Sequence, residues 1–186
     1  LCRELAEGII KPLLLVGDAI TAVSCDWQVI RERKAMTILV TDLGAMSRIV
    51  NVSVREIEAQ KIEIVQRTAK DLNAIIVLED TRALVGCPDR RVFINLSGNP
   101  GIAPTGSGDM LTGTIAAMFG RSLPAEDAVR KGVFIHGLSA DLAAEDKGED
   151  GLAAQEIVDH LPLAMGMDWE GLDVALRDRY AGAHVI

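Results

Sequence analysis

Three short apolar runs divide the first half of the chain: Leu13–Val16, Thr37–Thr41 and Ala74–Leu78. Unbroken apolar runs of this length, bounded by polar residues, are typical of strands that are covered on both faces, as in parallel sheets. The stretches between them repeat apolar residues at helical spacing. This alternation predicts an α/β fold with a mostly parallel sheet.

The same pattern predicts the first helices. One covers residues 1–10 and a second covers residues 26–33. A long helix is expected from Ser53 to about Leu72, because Ser53 and Glu56 match the capping-box pattern that opens helices.

The pattern changes after the third run. Residues 83–86 and 91–94 flank a turn at residues 87–90, which predicts an antiparallel hairpin. A long helix is expected from Pro124 to about Asp146, followed by a last helix over residues 153–161. Small residues in the long helix predict close packing, namely Ala128, Gly132, Gly137, Ser139 and Ala140. His136, in the same helix, is expected to be buried with its hydrogen bonds satisfied.

Pro162 is expected to end the last helix. We therefore assign residues 1–163 to one domain and residues 164–186 to a C-terminal tail or oligomer arm. The chain starts at Leu1 without a signal-peptide pattern, so we expect a piece of a longer or processed protein.

The composition of the chain limits the classes of binding partner that are expected. The 186 residues carry a formal net charge of −8, which argues against nucleic acid or an anionic membrane as a partner. No apolar run approaches the roughly 20 residues of a membrane span. The three cysteines are scattered, which favours free thiols in a reducing, cytoplasmic setting.

The most distinctive stretch runs from Asn95 to Gly113 and contains five glycines, two prolines and one acid, Asp109. Glycine amides followed by a helix start, here expected at Met110, form a site for phosphate groups. A carboxylate would repel the phosphate, unless it takes a proton from a hydroxyl that accepts the phosphoryl group. The alternative is a glycine-rich turn before a helix with Asp109 as an ordinary first-turn acid.

A second candidate acid follows the first strand. Asp18 lies in Gly17–Asp18–Ala19, at the carboxyl end where open α/β sheets bind ligands. It could contact substrate or a metal-bound water, or it could cap the next helix. The residues alone leave both alternatives open.

The stretch Asn95-x-Ser-Gly-Asn-Pro-Gly, followed by Gly-Ser-Gly-Asp-x-Leu-Thr-Gly113, resembles the signature of the ADP/ATP-dependent NAD(P)H-hydrate dehydratases. The similarity extends over roughly residues 1–162, including residues 132–144, 148–154 and 157–162. It implies a ribokinase-like three-layer α/β sandwich. It also implies phosphoryl transfer to the hydroxyl of a hydrated nicotinamide cofactor, followed by elimination.

The resemblance also implies roles for individual residues. Asp109 would be the catalytic base and, with Asp42 and Asp18, would contact the substrate. The amides of Gly106 to Asp109 would form the anion hole. The residues implied in nucleotide binding are Glu79, Asp80, Thr81, Arg82, Ala83, Asn99, Pro100, Gly101, Ile102, Ala103, Pro104, Thr105, Gly106, Ser107 and Gly108.

The implied cofactor is ADP or ATP with Mg2+, and no metal-ligating residue is assigned in the chain. The implied partner is the small molecule NAD(P)HX, in a cytoplasmic protein that is expected to form a homo-oligomer.

This chain departs from the family pattern at several places. It has Asp42-Leu43-Gly44-Ala45 where His-Pro-Gly-Glu is usual, and Glu79-Asp80 where Lys-Gly is usual. Pro104-Thr105 stands in place of Thr-Gly. The family domain also carries about a third more chain before this point.

These departures leave two other functions open. One is a ribokinase-like small-molecule kinase, and the other is a degenerate, non-catalytic nucleotide-binding protein.

Overall fold

A computed structural model describes residues 2–80, 82–102, 106–170 and 178–180. The chain divides into two compact units. The first contains the chain up to Asp80 together with Leu84–Phe93, and the second contains residues 82–83 and the chain from Ile94. Within the described residues, no helix combines the length and the apolar character that crossing a bilayer requires.

The first unit is built on a five-stranded sheet in which the strands follow one another in chain order. Its strands are β1 (Leu13–Val16), β2 (Thr37–Thr41), β3 (Ala74–Leu78), β4 (Leu84–Gly86) and β5 (Val92–Ile94). β1, β2 and β3 are parallel, with Val16 paired to Val40 and Val40 to Val77. β4 is antiparallel to β3. Every residue of β2 and β3 is buried, so the predicted α/β class and two of the three doubly covered strands are confirmed. The expected burial on both faces is wrong for β1, which lies at the edge of the sheet and in which only Leu15 is buried.

The predicted hairpin is also confirmed. The Cys87 amide donates to the Arg91 carbonyl (2.9 Å), and the Asn95 amide donates to the Ala83 carbonyl (2.8 Å). Arg90, in the turn, has a φ of 75°.

Six helices are described in the first unit and three in the second. The first six are α1 (Cys2–Gly8), α2 (Asp18–Val23), α3 (Gln28–Arg31), α4 (Leu43–Val50), α5 (Val54–Ala59) and α6 (Lys61–Leu72). The others are α7 (Ser107–Phe119), α8 (Ala125–Lys147) and α9 (Ala154–Glu170), with 3-10 turns at Pro100–Ile102 and Glu149–Gly151.

The capping box is present, since Ser53 and Glu56 exchange hydrogen bonds at the start of α5. The single long helix predicted after it is wrong. Gln60 leaves helical geometry (φ −139°, ψ 37°), so α5 ends and α6 begins separately. Neither glycine nor proline stands at this break, so no local signal indicated it.

Helix α8 packs between α7 and α9 in the second unit, and its small residues permit close contact. A Cβ on Gly132 would lie 2.7 Å from the Ile115 Cα, and a Cβ on Gly137 would lie 2.7 Å from the Ser97 carbonyl oxygen. The Ser139 hydroxyl donates to a carbonyl of α9, that of Ile157. The predicted close packing is therefore confirmed.

Pro162 does not end the last helix, which continues to Glu170. Ala164 is fully buried in a cluster with Met118, Ile135 and Leu138, and Leu161 packs against the same cluster. Burial of this apolar stripe outweighs the loss of one helix hydrogen bond at the proline. The domain boundary at residue 163 stays a prediction.

His136 is buried as expected, at 4% exposure. Its Nε2, however, has no hydrogen-bond partner among the described residues, so the expectation of a fully satisfied histidine is wrong. Burial lowers the pKa of His136 to about 4, which keeps the imidazole neutral at neutral pH.

Candidate functional site

The glycine stretch, residues 95–113, leads into α7. This helix begins at Ser107, three residues earlier than the apolar pattern indicated, because Gly106 takes the left-handed conformation (φ 101°) at the N-cap. Gly106 offers no side chain to cap this end. The amides of the first turn have no acceptor within the helix and carry the positive end of its dipole. The described part of the stretch thus has the geometry expected of an anion hole.

Asp109 is the third residue of α7 and is exposed. No described residue donates a hydrogen bond to its carboxylate. An exposed carboxylate beside free helix amides can accept a proton from a bound hydroxyl. It also favours the helix start by its charge alone, so the geometry is compatible with both interpretations of Asp109.

Asn99 is buried, and both ends of its side chain are engaged within the protein. Its Nδ2 donates to Asp141 Oδ1 (3.0 Å), and its Oδ1 accepts from the Gly101 amide (2.9 Å). What Asn99 offers to a ligand is therefore its backbone. Gly101 must be glycine here, since a Cβ would lie 2.5 Å from the Glu149 carbonyl oxygen.

The start of the stretch is fastened to α8. The Ser97 hydroxyl donates to the Phe134 carbonyl (2.8 Å), and Asn95 Nδ2 donates to the Ser97 carbonyl (2.9 Å). The Asn95-x-Ser97 part of the motif is thus a structural anchor. Of the predicted site residues, Thr81, Ala103, Pro104 and Thr105 lie outside the described residues.

Two residues of this region were not predicted from the sequence. Asp141 in α8 is 3% exposed, and its Oδ2 accepts from the Gly98 amide (2.8 Å) and from the Tyr180 hydroxyl (2.7 Å). Because Asp141 stands among apolar residues of α8, the sequence could have indicated a buried carboxylate that needs hydrogen-bond donors. Tyr180 carried no such signal, because it lies 39 residues away.

The other predicted site residues lie at strand ends of the first unit. Asp18, Asp42 and Glu79 follow the carboxyl ends of β1, β2 and β3, which are adjacent and parallel. These three acids therefore occupy one edge of the sheet, as the sequence indicated. That Asp109 lies beside Asp18 and Asp42 stays a prediction.

Asp42 and Asp18 differ in their local roles. Asp42 is the N-cap of α4, where its Oδ1 accepts from the Ala45 amide (2.5 Å). Asp18 does not cap α2, because Gly17 is the N-cap with no side-chain hydrogen bond. The capping alternative for Asp18 is therefore wrong, and it is an exposed acid in the first helical turn.

The negative charge of the segment after β3 is partly balanced by a cation of the first unit. Asp80 forms an ion pair with Lys61, at the start of α6. The Glu79 amide donates to the Thr41 carbonyl (2.7 Å) and fastens the segment to β2. In the second unit, the Arg82 guanidinium donates to the Leu96 carbonyl. The exchange of Lys-Gly for Glu79-Asp80 is thus partly offset by Lys61.

Comparison with known proteins agrees with the motif. Residues 4–163 match the family described as NAD(P)H-hydrate dehydratase. The chain is 45% identical over 162 residues to the bifunctional NAD(P)H-hydrate repair enzyme Nnr of Thermofilum pendens, covering 87% of this chain and 31% of that protein. It is 32% identical over 156 residues to the ADP-dependent (S)-NAD(P)H-hydrate dehydratase of Neisseria meningitidis, covering 82% of this chain and 53% of that protein.

Solved structures agree as well. The ADP/ATP-dependent NAD(P)H-hydrate dehydratase of Bacillus subtilis, co-crystallised with ATP and Mg2+, superposes with a TM-score of 0.75 at 28% identity, over 83% of this chain and 54% of that one. A ribokinase-like superfamily protein of Enterococcus faecalis gives a TM-score of 0.69 at 26% identity, over 82% of this chain and 51% of that one. The chain therefore covers 31% to 54% of the length of these four proteins.

Proposed function

The chain belongs to the NAD(P)H-hydrate dehydratase family, and we propose that it supplies the phosphoryl-transfer site for nucleotide-dependent dehydration of NAD(P)HX. The observation that carries this proposal is the start of α7. There, the amides from Ser107 to Asp109, which have no acceptor within the helix, and an exposed carboxylate lie within one helical turn. The relatives from Neisseria meningitidis and Bacillus subtilis are named as ADP- or ADP/ATP-dependent dehydratases, which supports the same chemistry.

In the proposed reaction, the hydroxyl oxygen of the hydrate attacks the terminal phosphorus of ADP or ATP. The bond from that phosphorus to the bridging oxygen breaks, and Asp109 takes the hydroxyl proton. The amides at the start of α7 stabilise charge on the transferring group. Phosphate is a better leaving group than hydroxide. Its departure, with loss of a proton from the neighbouring carbon, restores the double bond of the nicotinamide ring.

Mg2+ is proposed to accompany the nucleotide. Among the described residues, no group of three or more His, Cys, Asp or Glu side chains is arranged to hold a metal ion. We propose that the cation is held by phosphate oxygens and water, with few protein ligands. Bound in that way, Mg2+ would neutralise phosphate charge.

The experiment that tests the function is turnover of hydrated NADH and NADPH with ADP, with ATP and without nucleotide. We expect recovery of the reduced-nicotinamide absorbance only when nucleotide and Mg2+ are present. A stable phosphorylated product without that recovery would indicate a kinase. Nucleotide binding without any turnover would indicate a non-catalytic protein, and either result would overturn the proposal.

A further inference from the structure

We propose that Tyr180 is a positioning residue that holds the start of the glycine stretch through the buried carboxylate of Asp141. Tyr180 lies beyond residues 4–163, the part of the chain that matches the family. That the positioned stretch binds nucleotide rests on the proposed function. The positioning itself does not.

Asp141 is the hub of this arrangement. One of its oxygens accepts from the Tyr180 hydroxyl (2.7 Å) and from the Gly98 amide (2.8 Å), and the other accepts from Asn99 Nδ2 (3.0 Å). Hydrogen bonds to an ionised carboxylate are about twice as strong as those between neutral groups. Because Asp141 is only 3% exposed, water cannot readily replace a donor that is removed.

The hydrogen bonds continue into the glycine stretch. Asn99, held by Asp141, accepts from the Gly101 amide (2.9 Å). Gly98 has a φ of 102°, a conformation that its hydrogen bond to Asp141 helps to hold. Three successive hydrogen bonds therefore connect Tyr180 to Gly101, at the start of the segment assigned to nucleotide.

Tyr180 is itself placed by apolar packing. Its ring meets Phe134 edge to face, with centroids 5.4 Å apart, and it lies in the core cluster with Leu138 and Ala164. Burial, followed by the hydrogen bond to Asp141, raises the pKa of the Tyr180 phenol. The hydroxyl therefore stays protonated and remains a donor. Apolar packing therefore fixes the position of the ring, and the hydroxyl donates its hydrogen bond to Asp141.

Two variants separate the hydroxyl from the ring. Tyr180→Phe removes only the donor to Asp141 and keeps the ring. Phe134→Leu disturbs the packing of the ring and keeps the hydroxyl, and the Phe134 carbonyl that accepts from Ser97 is backbone. Hydrogen–deuterium exchange is measured on both variants and on the original protein, without ligand. The amides of β2 and β3 serve as the internal reference.

We expect the amides of Gly98, Asn99, Gly101 and Ile102 to exchange about tenfold faster in Tyr180→Phe, from loss of one hydrogen bond to a charged group. We expect little change there in Phe134→Leu. Unchanged exchange in Tyr180→Phe would overturn the inference whatever the activity. Equal acceleration in both variants would also overturn it, because Tyr180 would then act only as part of the core.

A kinetic measurement tests the consequence for nucleotide. In Tyr180→Phe we expect the KM for ADP or ATP to rise severalfold while the KM for the hydrate stays the same. In Phe134→Leu we expect both KM values to stay the same. Faster exchange with an unchanged nucleotide KM would contradict the link to nucleotide binding. Faster exchange in Tyr180→Phe, in a protein that binds neither nucleotide, would support the positioning and reject the proposed function.

Discussion

The glycine stretch and the strand ends of the first unit use polar residues in different ways. Around the stretch, Ser97, Asn99 and Asp141 are buried and bonded to one another or to backbone. At the strand ends, Asp18 and Asp42 are exposed, and Asp42 does the local work of capping a helix. The family pattern is kept in the buried network and altered at the exposed edge. We infer that Ser97 and Asn99 are retained because they are structural, whereas the exposed edge could change.

The largest effect that would sharpen this comparison concerns Asp109. Asp109→Asn keeps the shape of the side chain but cannot take a proton. If Asp109 is the base, turnover should fall by about 10²–10⁴. Nucleotide affinity should hold or rise, since a negative charge beside the phosphate has been removed. Steady-state rates and a calorimetric titration with ADP and ATP measure both.

Asp127→Asn is the matched control, because Asp127 is also an exposed first-turn acid, in α8. Both variants lose a favourable charge at a helix start, for about 0.3–1 kcal/mol of stability. Similar losses of stability with unchanged turnover in both would mean that Asp109 is only a helix acid. The glycine stretch would then, like the strand ends of the first unit, carry an exposed acid with only a local structural role.

The second prediction concerns His136, in the helix that supports the glycine stretch. Its pKa is about 4 in the folded protein, against an ordinary value of 6.5. The unfolded chain therefore binds more protons between these values, and the free energy of unfolding should fall as pH drops from 7 to 4. The loss attributable to this residue is about 3 kcal/mol.

Denaturant unfolding of the original protein and of His136→Gln across this range measures the effect. The variant should show a flatter pH dependence, because its side chain does not titrate. His160→Gln removes an imidazole elsewhere and serves as the control. If His136→Gln and the original protein lose stability in parallel, titration of His136 does not account for the acid sensitivity.

The sequence predicted the first unit better than the second, for physical reasons. Continuous apolar runs predicted the bounds of β1, β2 and β3. Strands covered on both faces, as β2 and β3 are, leave little choice of pattern. The helix through Pro162 was missed, because a local rule about proline yielded to tertiary burial of Ala164. The motif predicted Asp109 as the base, and this role stays a prediction. Asp141 and Tyr180 were missed, because a contact across 39 residues leaves no periodic trace.

A smaller effect is expected at Asp42, which tests the exposed edge. Asp42→Ala removes the acceptor of the Ala45 amide and should cost about 1 kcal/mol of stability. Asp42→Asn keeps a capping side chain and removes only the charge, so its stability should stay near that of the original protein. If the carboxylate also contacts the hydrate, both variants should raise the KM for the hydrate. Lower stability in Asp42→Ala together with an unchanged KM for the hydrate in both variants would limit Asp42 to capping.

The smallest effect is expected at Glu79, where the family has lysine. If Glu79 borders the nucleotide phosphates, Glu79→Lys replaces repulsion by attraction and should tighten nucleotide binding by roughly 1 kcal/mol at low salt. The gain should shrink as salt is added. Glu58→Lys makes the same change to the net charge of −8 at an exposed position of α5, so it controls for the overall field. Equal affinities for Glu79→Lys, Glu58→Lys and the original protein would mean that this segment does not border the phosphates. The ion pair of Asp80 with Lys61 predicts a modest gain, because a cation already lies beside this segment.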